Sequence, residues 1–156
     1  MPSILFTRVD LDAVYLPFAQ KCLTLAANCQ KRGVWYYAVS GYRDPKEQDA
    51  KYAIGRTQPG KIITNARGGW SWHNWGLAMD FVRDEDMVRV GLQTSWGNKG
   101  YEILKEEGLK LGLRVGVPTV PGGDPGHVQD RNPLTLARCR ALGTREAVWA
   151  YLTKYP

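Results

Sequence analysis

Histidine and cysteine are scarce in this 156-residue chain, which has two histidines and three cysteines. An odd number of cysteines without a Cys-x-x-Cys pair argues against a metal centre built from thiolates. Cys22 and Cys29 are seven residues apart in one predicted helix, so they share a face but lie too far apart along its axis for a disulfide. We therefore expect buried, reduced thiols.

Long hydrophobic runs are also missing, and this excludes a predicted membrane-spanning helix. The first residues lack a basic segment followed by an extended apolar core, so we expect no signal peptide. With 44% apolar and 23% charged residues, the composition is typical of a globular protein, and the length fits one domain. The net charge of +6 indicates an acidic partner, which charge alone cannot assign to nucleic acid, a membrane surface or a cell-wall polymer.

Apolar residues recur at helical spacing, with suitable start or stop residues, in five segments: residues 10–32, 45–54, 99–112, 133–141 and 144–154. The aromatic and β-branched run Val34–Val39 predicts a strand, and so does the alternating run Leu77–Phe81. The run Met87–Val90 fits either a strand or the start of a helix. The segment from Gly116 to Gly126 is rich in glycine and proline and predicts a loop.

The two histidines lie in glycine-flanked segments that also contain aspartate. His73 is followed seven residues later by Asp80, which the strand period places opposite the apolar row of its strand. His127 lies far downstream. A single histidine in a tryptophan-rich stretch more often packs or forms hydrogen bonds. Two imidazoles and a carboxylate, however, are the right ligands for a catalytic zinc site that leaves a fourth position for water.

Two further residues are candidates for chemistry at such a site. Asp124, three residues before His127, could exchange a proton with the water, or it could simply occupy a Pro-Gly turn. Arg43 follows a predicted strand and could hold a carboxylate or polarise a carbonyl, although a structural arginine is the commoner case. Three tryptophans near the first histidine suit either a substrate-binding wall or core packing: Trp70, Trp72 and Trp75.

One motif, Ser71-x-His73-x-x-Gly76-x-Ala78-x-Asp80, resembles the SxHxxGxAxD signature of the D-alanyl-D-alanine carboxypeptidase superfamily, the VanY-like zinc peptidases. The motif is long and quite specific. The resemblance implies an α+β fold of the hedgehog and DD-peptidase type, in which a small antiparallel sheet carries a zinc site and packs against helices.

Segments on both sides extend the resemblance. Downstream, Asp124-x-x-His127 is similar to the acid/base-x-x-His element that completes the site in these peptidases. Upstream, residues 40–43, 47–48 and 52–60 are similar to the branch of L-alanyl-D-glutamate endopeptidases, which includes phage endolysins. The similar segments together extend over most of the chain.

The resemblance implies a role for each candidate residue. The residues implied to bind one Zn²⁺ ion are His73, Asp80 and His127. Asp124 would act as general base and then as general acid, and Arg43 would stabilise the oxyanion of the tetrahedral intermediate. The residues implied to support the site or contact the substrate are Ser71, Gln48 and Trp72.

The resemblance implies a zinc-dependent peptidoglycan endopeptidase that cuts the stem peptide, with L-alanyl-D-glutamate as the expected bond. We expect one catalytic domain over residues 1–156, a monomer, and no separate wall-binding domain. We expect the enzyme to accumulate in the host cytoplasm and to reach the wall after holin-dependent release, or to be virion-associated. The basic charge fits a polyanionic envelope.

Two alternatives stay open. A D,D- or L,D-carboxypeptidase would need a second positive group near Arg43, and Arg56 and Lys61 are close in sequence. A non-catalytic wall- or nucleic-acid-binding module with a structural metal is disfavoured, because Asp124 and an open coordination position would serve no purpose there. Nucleic-acid binding has no motif behind it beyond the net charge, so we expect no nucleic-acid partner.

Overall fold

The computed structural model describes residues 6, 8–84, 94–95, 100–117 and 124–156, and this part of the chain forms five α-helices and one small sheet. The α-helices are α1 (Leu16–Lys31), α2 (Pro45–Ala53), α3 (Glu102–Lys110), α4 (Leu136–Leu142) and α5 (Arg145–Lys154). The strands are β1 (Tyr36–Ser40), β2 (Ala78–Asp84), β3 (Thr94–Ser95), β4 (Arg114–Val117) and β5 (Asp124–Gln129). The predicted α+β class is confirmed. The ambiguous run Met87–Val90 and residues 118–123 of the predicted loop lie outside the described residues.

All strand pairs in the sheet are antiparallel, in the order β1-β2-β5-β4, and β3 also pairs with β2. β2 is therefore the strand to which the rest of the sheet is joined. Its register sets Asp80 opposite Ser40 of β1 and opposite His127 of β5. Directly opposed residues of an antiparallel pair project from the same face, so the Asp80 and His127 side chains are neighbours.

The prediction of a loop from Gly116 to Gly126 is wrong at both ends. β4 continues to Val117 and β5 begins at Asp124, so Gly126 lies inside a strand. A Cβ atom on Gly126 would overlap the carbonyl oxygen of Phe81 in β2. Glycine at this position thus permits a close approach of two strands, which is a different use from a turn.

Two hydrophobic clusters support the sheet and the segment that precedes it. The main cluster joins α1 and α3 to the sheet and includes Met79 and Phe81 of β2. The second cluster joins α4 and α5 to Trp75 and Leu77. The predicted apolar row is therefore shared between the two clusters. Met79 and Phe81 belong to the main cluster, whereas Leu77 precedes β2 and packs against the C-terminal helices.

All three cysteines are free and buried, as the sequence predicts for Cys22 and Cys29. Burial raises the pKa of the Cys29 thiol to about 12 and that of Cys139 to about 11. Both thiols therefore stay protonated at neutral pH and act as small apolar groups of the two clusters. Among the described residues no helix is long and apolar enough to cross a membrane.

Replacing Gly126 by alanine should destabilise the protein by about 3 kcal/mol, because the added methyl group must separate β5 from β2. Gly33→Ala is the matched control. Gly33 has φ +82°, and an added methyl group there would have no atom within 4 Å, so only the backbone cost of about 1 kcal/mol applies. Urea unfolding measures both values. Equal losses in the two variants would contradict the close strand approach.

Candidate metal centre

His73 lies in a 3-10 helix, Trp72–Trp75, whose two ends are fixed by its own sequence. Ser71 caps the start, where its hydroxyl accepts a hydrogen bond from the His73 backbone N–H at 3.3 Å. Gly76 ends the helix at φ +66°, a left-handed conformation that glycine adopts without strain. The short helix therefore presents His73 immediately before the chain enters β2.

Asn74 ties this helix to its surroundings, a role that the sequence did not predict. Its side-chain oxygen accepts hydrogen bonds from the backbone N–H groups of Gly69 and Ser71, at 3.0 and 3.2 Å. Its amide nitrogen donates to the Arg43 carbonyl at 2.9 Å, and the Arg43 N–H donates to the His73 carbonyl at 3.0 Å. The only signal in the sequence was a polar residue inside an aromatic stretch.

The three predicted ligands converge on one point. Nε2 of His73 lies 3.2 Å from Oδ2 of Asp80, and Nδ1 of His127 lies 3.2 Å from Oδ1 of the same carboxylate. The two imidazole rings meet edge to face with centroids 5.3 Å apart. One ligand atom from each residue lies within 4.8 Å of the others, so the group is compact enough to hold a single ion.

In His73 and His127, the ring nitrogen that points away from Asp80 lies close to an oxygen acceptor. This contact indicates which nitrogen of each neutral ring carries the proton. Nδ1 of His73 lies 2.8 Å from the Gly41 carbonyl oxygen, which can only accept, so this nitrogen carries a proton. Nε2 of His127 likewise lies 3.0 Å from the side-chain oxygen of Gln129. In the neutral state of both rings, two nitrogen lone pairs therefore face the oxygens of Asp80.

With both rings neutral these three acceptors repel one another, and either a metal ion among them or a proton on an imidazole relieves the repulsion. Two imidazole nitrogens, each oriented by a hydrogen bond on the opposite side of the ring, and one carboxylate form a donor set that fits Zn²⁺. Burial alone would raise the pKa of Asp80, but the neighbouring His73 and His127 outweigh it and hold that pKa well below its ordinary value. The Asp80 carboxylate is therefore ionised over the whole physiological pH range.

Asp124 lies in β5, three residues before His127, and is partly buried in the cleft above the ligands. Burial raises its pKa above the usual aspartate value, and the negative charge of Asp80 raises it further. The imidazoles of His127 and His73 act in the opposite direction but do not cancel these effects. A carboxyl group with a raised pKa is better suited to exchanging protons near neutral pH than an ordinary surface aspartate.

Arg43 follows β1, and two side chains hold its guanidinium, one at each terminal nitrogen. Nη2 donates to the Ser40 hydroxyl at 3.0 Å, and Nη1 donates to the side-chain oxygen of Gln48 at 2.9 Å. Nη2 also lies 3.8 Å from Oδ2 of Asp80. This places a fixed positive charge beside the predicted metal ligands.

Gln48 is fully buried behind Arg43 and does not line the cleft. Its amide nitrogen donates to the Ala66 carbonyl at 2.8 Å and to the Thr64 hydroxyl at 3.3 Å. One side chain of α2 thus joins Arg43 to the loop at residues 64–66. The structure places Gln48 in a supporting position and away from any substrate.

The ligands lie in a cleft of about 580 Å³ that also includes Arg43 and Asp124. Ser71, Trp72 and Trp70 line this cleft, and Trp70 keeps 45% of its surface exposed. Trp75 instead is buried, and its indole N–H donates to the Gly69 carbonyl at 3.2 Å. Trp70 and Trp72 therefore lie at the cleft, as a substrate-binding wall would require, and Trp75 lies in the core.

Arg56 and Lys61, the candidates for a second positive group near Arg43, do not lie where a carboxypeptidase would need them. Arg56 donates to the Tyr52 and Thr64 carbonyl oxygens, at 2.6 and 3.1 Å, and neither Arg56 nor Lys61 lines the cleft. Lys51 does line it, and no pattern in the sequence singled out this residue.

Comparison with known proteins agrees with this arrangement. The family model described as VanY, D-alanyl-D-alanine carboxypeptidase, matches residues 14–119, which is more than half of the chain. The chain belongs to the VanY family. The matched range includes Arg43, His73 and Asp80 but ends before Asp124 and His127, which the structure places in the same cleft as the first three.

One curated relative is peptidoglycan L-alanyl-D-glutamate endopeptidase CwlK of Bacillus subtilis (strain 168). It is 47% identical to this VanY-family chain over 73 residues, which make up 47% of this chain and 42% of the relative. The chain therefore spans less than half the length of this relative.

Replacing Gln48 by leucine should lower the free energy of unfolding by about 2–3 kcal/mol, because the partly buried Ala66 carbonyl and Arg43 guanidinium each lose a partner. Gln20→Leu, at an exposed position of α1, is the matched control and should change stability by less than about 0.5 kcal/mol. Thermal and urea unfolding measure the difference. If both variants were equally stable, Gln48 would not be joining Arg43 to the loop at residues 64–66.

Proposed function

We propose that this chain is a zinc-dependent peptidase that hydrolyses an amide bond in the stem peptide of peptidoglycan, with L-alanyl-D-glutamate as the favoured bond. The observation that carries the proposal is the convergence of His73, Asp80 and His127 in a cleft that also contains Asp124 and Arg43. Membership of the VanY family supports the peptidase class, and the activity named for the Bacillus relative supports the choice of bond.

The ligand roles follow from the orientation of the side chains. His73 would offer Nε2 and His127 would offer Nδ1, since their other nitrogens are engaged with Gly41 and Gln129. Asp80 would offer a carboxylate oxygen. When bound, a divalent zinc ion supplies Lewis-acid chemistry, which polarises a carbonyl oxygen and makes a water molecule acidic near neutral pH.

Asp124 and Arg43 would perform the proton transfer and the charge stabilisation. The Asp124 carboxylate would accept a proton from the attacking water and then give it to the leaving amine nitrogen, which fits its raised pKa. Arg43 is held rigidly by Ser40 and Gln48, so its guanidinium is oriented before substrate arrives. It would donate to the oxygen that gains negative charge during attack on the carbonyl.

A carboxypeptidase that trims stem peptides is the second candidate. One observation favours it, namely the description of the matching family. Digesting a defined stem peptide and identifying the fragments by mass spectrometry separates the candidates. Release of single D-alanine indicates a carboxypeptidase, whereas a fragment that begins with D-glutamate indicates the endopeptidase.

We extend the proposal to a lytic role of the endolysin type. The net charge of +6 supports it, because an anionic envelope attracts a basic enzyme. In this role the enzyme acts on the wall after release from the host cytoplasm, or as a virion component, and works as a monomeric single domain. Turbidity loss of permeabilised Gram-negative cells, with chelated protein as control, tests the lytic activity.

The wild type should bind one equivalent of Zn²⁺, and Asp80→Asn should weaken binding on the order of 100-fold, because the ligand charge is lost. Competition with a chromophoric chelator measures the affinity. Asp12→Asn, an exposed acidic position, is the matched control and should bind zinc as the wild type does. Unchanged affinity in the Asp80 variant would exclude the His73–Asp80–His127 group as the zinc site.

Asp124→Asn should lower turnover on the order of 10²- to 10⁴-fold without loss of zinc, because the amide cannot accept the proton of the water. The assay follows the release of peptide fragments from purified peptidoglycan, with the zinc content measured in the same samples. Glu47→Gln, on the exposed side of α2, removes a carboxylate outside the cleft and serves as control. Full activity of zinc-loaded Asp124→Asn would reject this residue as the acid/base.

A further inference from the structure

Lys51 is a positively charged residue of the cleft that the proposed mechanism does not use. It lies in α2, is partly buried and lines the same cleft as the metal ligands. Over the described ranges, its side chain forms neither a hydrogen bond nor an ion pair, whereas the nearby Arg43 and Arg56 are both engaged. Partial burial weakens the hydration of an ammonium group, so a ligand that supplies a negative charge here would be favoured.

Lys51 lies on α2 close to Gln48, the residue that holds Arg43 in place. It follows Gln48 by three residues, so the two share one face of the helix and are separated by about 4.5 Å along its axis. Gln48 holds Arg43 on one side and residues 64–66 on the other. Lys51 therefore lies on the helix that holds Arg43 in place, and both side chains line the same cleft.

We infer that Lys51 binds a free carboxylate on the substrate residue that follows the scissile amide, and so selects acidic peptides. The inference rests on the proposed peptidase function. In a stem peptide that continues through the side-chain carboxyl of D-glutamate, the α-carboxylate beside the L-alanyl-D-glutamate bond stays free. A terminal D-alanine has its carboxylate at the same place. The Lys51 ammonium group therefore binds the carboxylate in either candidate reaction. A carboxamide at the same position has no negative charge for Lys51 to bind.

The test uses two synthetic peptides. The first is N-acetyl-L-alanyl-γ-D-glutamyl-L-lysine, and the second is the same peptide with the α-carboxylate of D-glutamate converted to a carboxamide. The wild type should cleave the carboxylate peptide with a kcat/KM about tenfold higher, mainly through a lower KM, since a charge-assisted hydrogen bond is lost in the carboxamide. Lys51→Gln should bring the ratio close to one. Lys51→Arg should retain the preference, and Lys46→Gln, at an exposed position of the same helix, should behave as the wild type.

Binding provides a second readout that does not depend on turnover. Zinc-loaded Asp124→Asn reports peptide binding through the fluorescence of Trp70 and Trp72, which line the cleft. The carboxylate peptide should bind about tenfold more tightly than the carboxamide, and adding Lys51→Gln should abolish the difference.

The outcomes separate this inference from the proposed function. A carboxylate preference that persists in Lys51→Gln would overturn the assignment of Lys51, even if the wild type cleaves both peptides. If the wild type cleaves neither peptide, the proposed function fails and the binding ratio decides the inference. A preference that depends on Lys51 then supports it, and equal binding of the two peptides overturns it.

Discussion

The partly buried carboxylate of Asp80 contacts both histidines of the chain, and the arrangement of the site depends on this contact. Each oxygen of the carboxylate faces one imidazole nitrogen at 3.2 Å. With both imidazoles neutral, all three groups are acceptors, and the surrounding structure holds each of them in place. The strand that bears Asp80 is also the strand to which the rest of the sheet is joined.

Each partner of the carboxylate is held by a different part of the fold. The register of β2 with β5 brings His127 opposite Asp80. The Gly41 carbonyl orients the ring of His73, and Gln48 and Ser40 hold the guanidinium of Arg43. Ring orientation is therefore fixed by backbone and buried side-chain groups rather than by solvent-exposed contacts, which limits how far the ligands can move.

The local patterns of the sequence predicted much of the fold and the components of the site. Helical periodicity located four of the helices to within about three residues. The first prediction, residues 10–32, is wrong at its start, because Leu11–Ala13 form a separate 3-10 helix and α1 begins at Leu16. Residue type and spacing identified His73, Asp80, His127 and Asp124 as candidate site residues. The structure places all four around one cleft.

Features that depend on contacts distant in sequence were not predicted. β4 and β5 extend into a segment rich in glycine and proline, because the pairing of β5 with β2 and of β4 with β5 outweighs the local preference for a turn. The bonds from Gln48 to residues 64–66 and the position of Lys51 in the cleft likewise depend on how α2 packs. Sequence proximity pointed to Arg56 instead, whose side chain is engaged by its own loop.

The second hydrophobic cluster gives the C-terminal helices an indirect connection to the chemistry. Trp75 and Leu77 belong to that cluster and flank the turn between His73 and β2, and the Trp149 indole donates to the Trp75 carbonyl at 2.8 Å. The spacing of the two imidazoles thus depends partly on the packing of α4 and α5. Variation in these helices offers a way to adjust the spacing of the two imidazoles over evolutionary time, or by engineering, while every residue that lines the cleft stays the same.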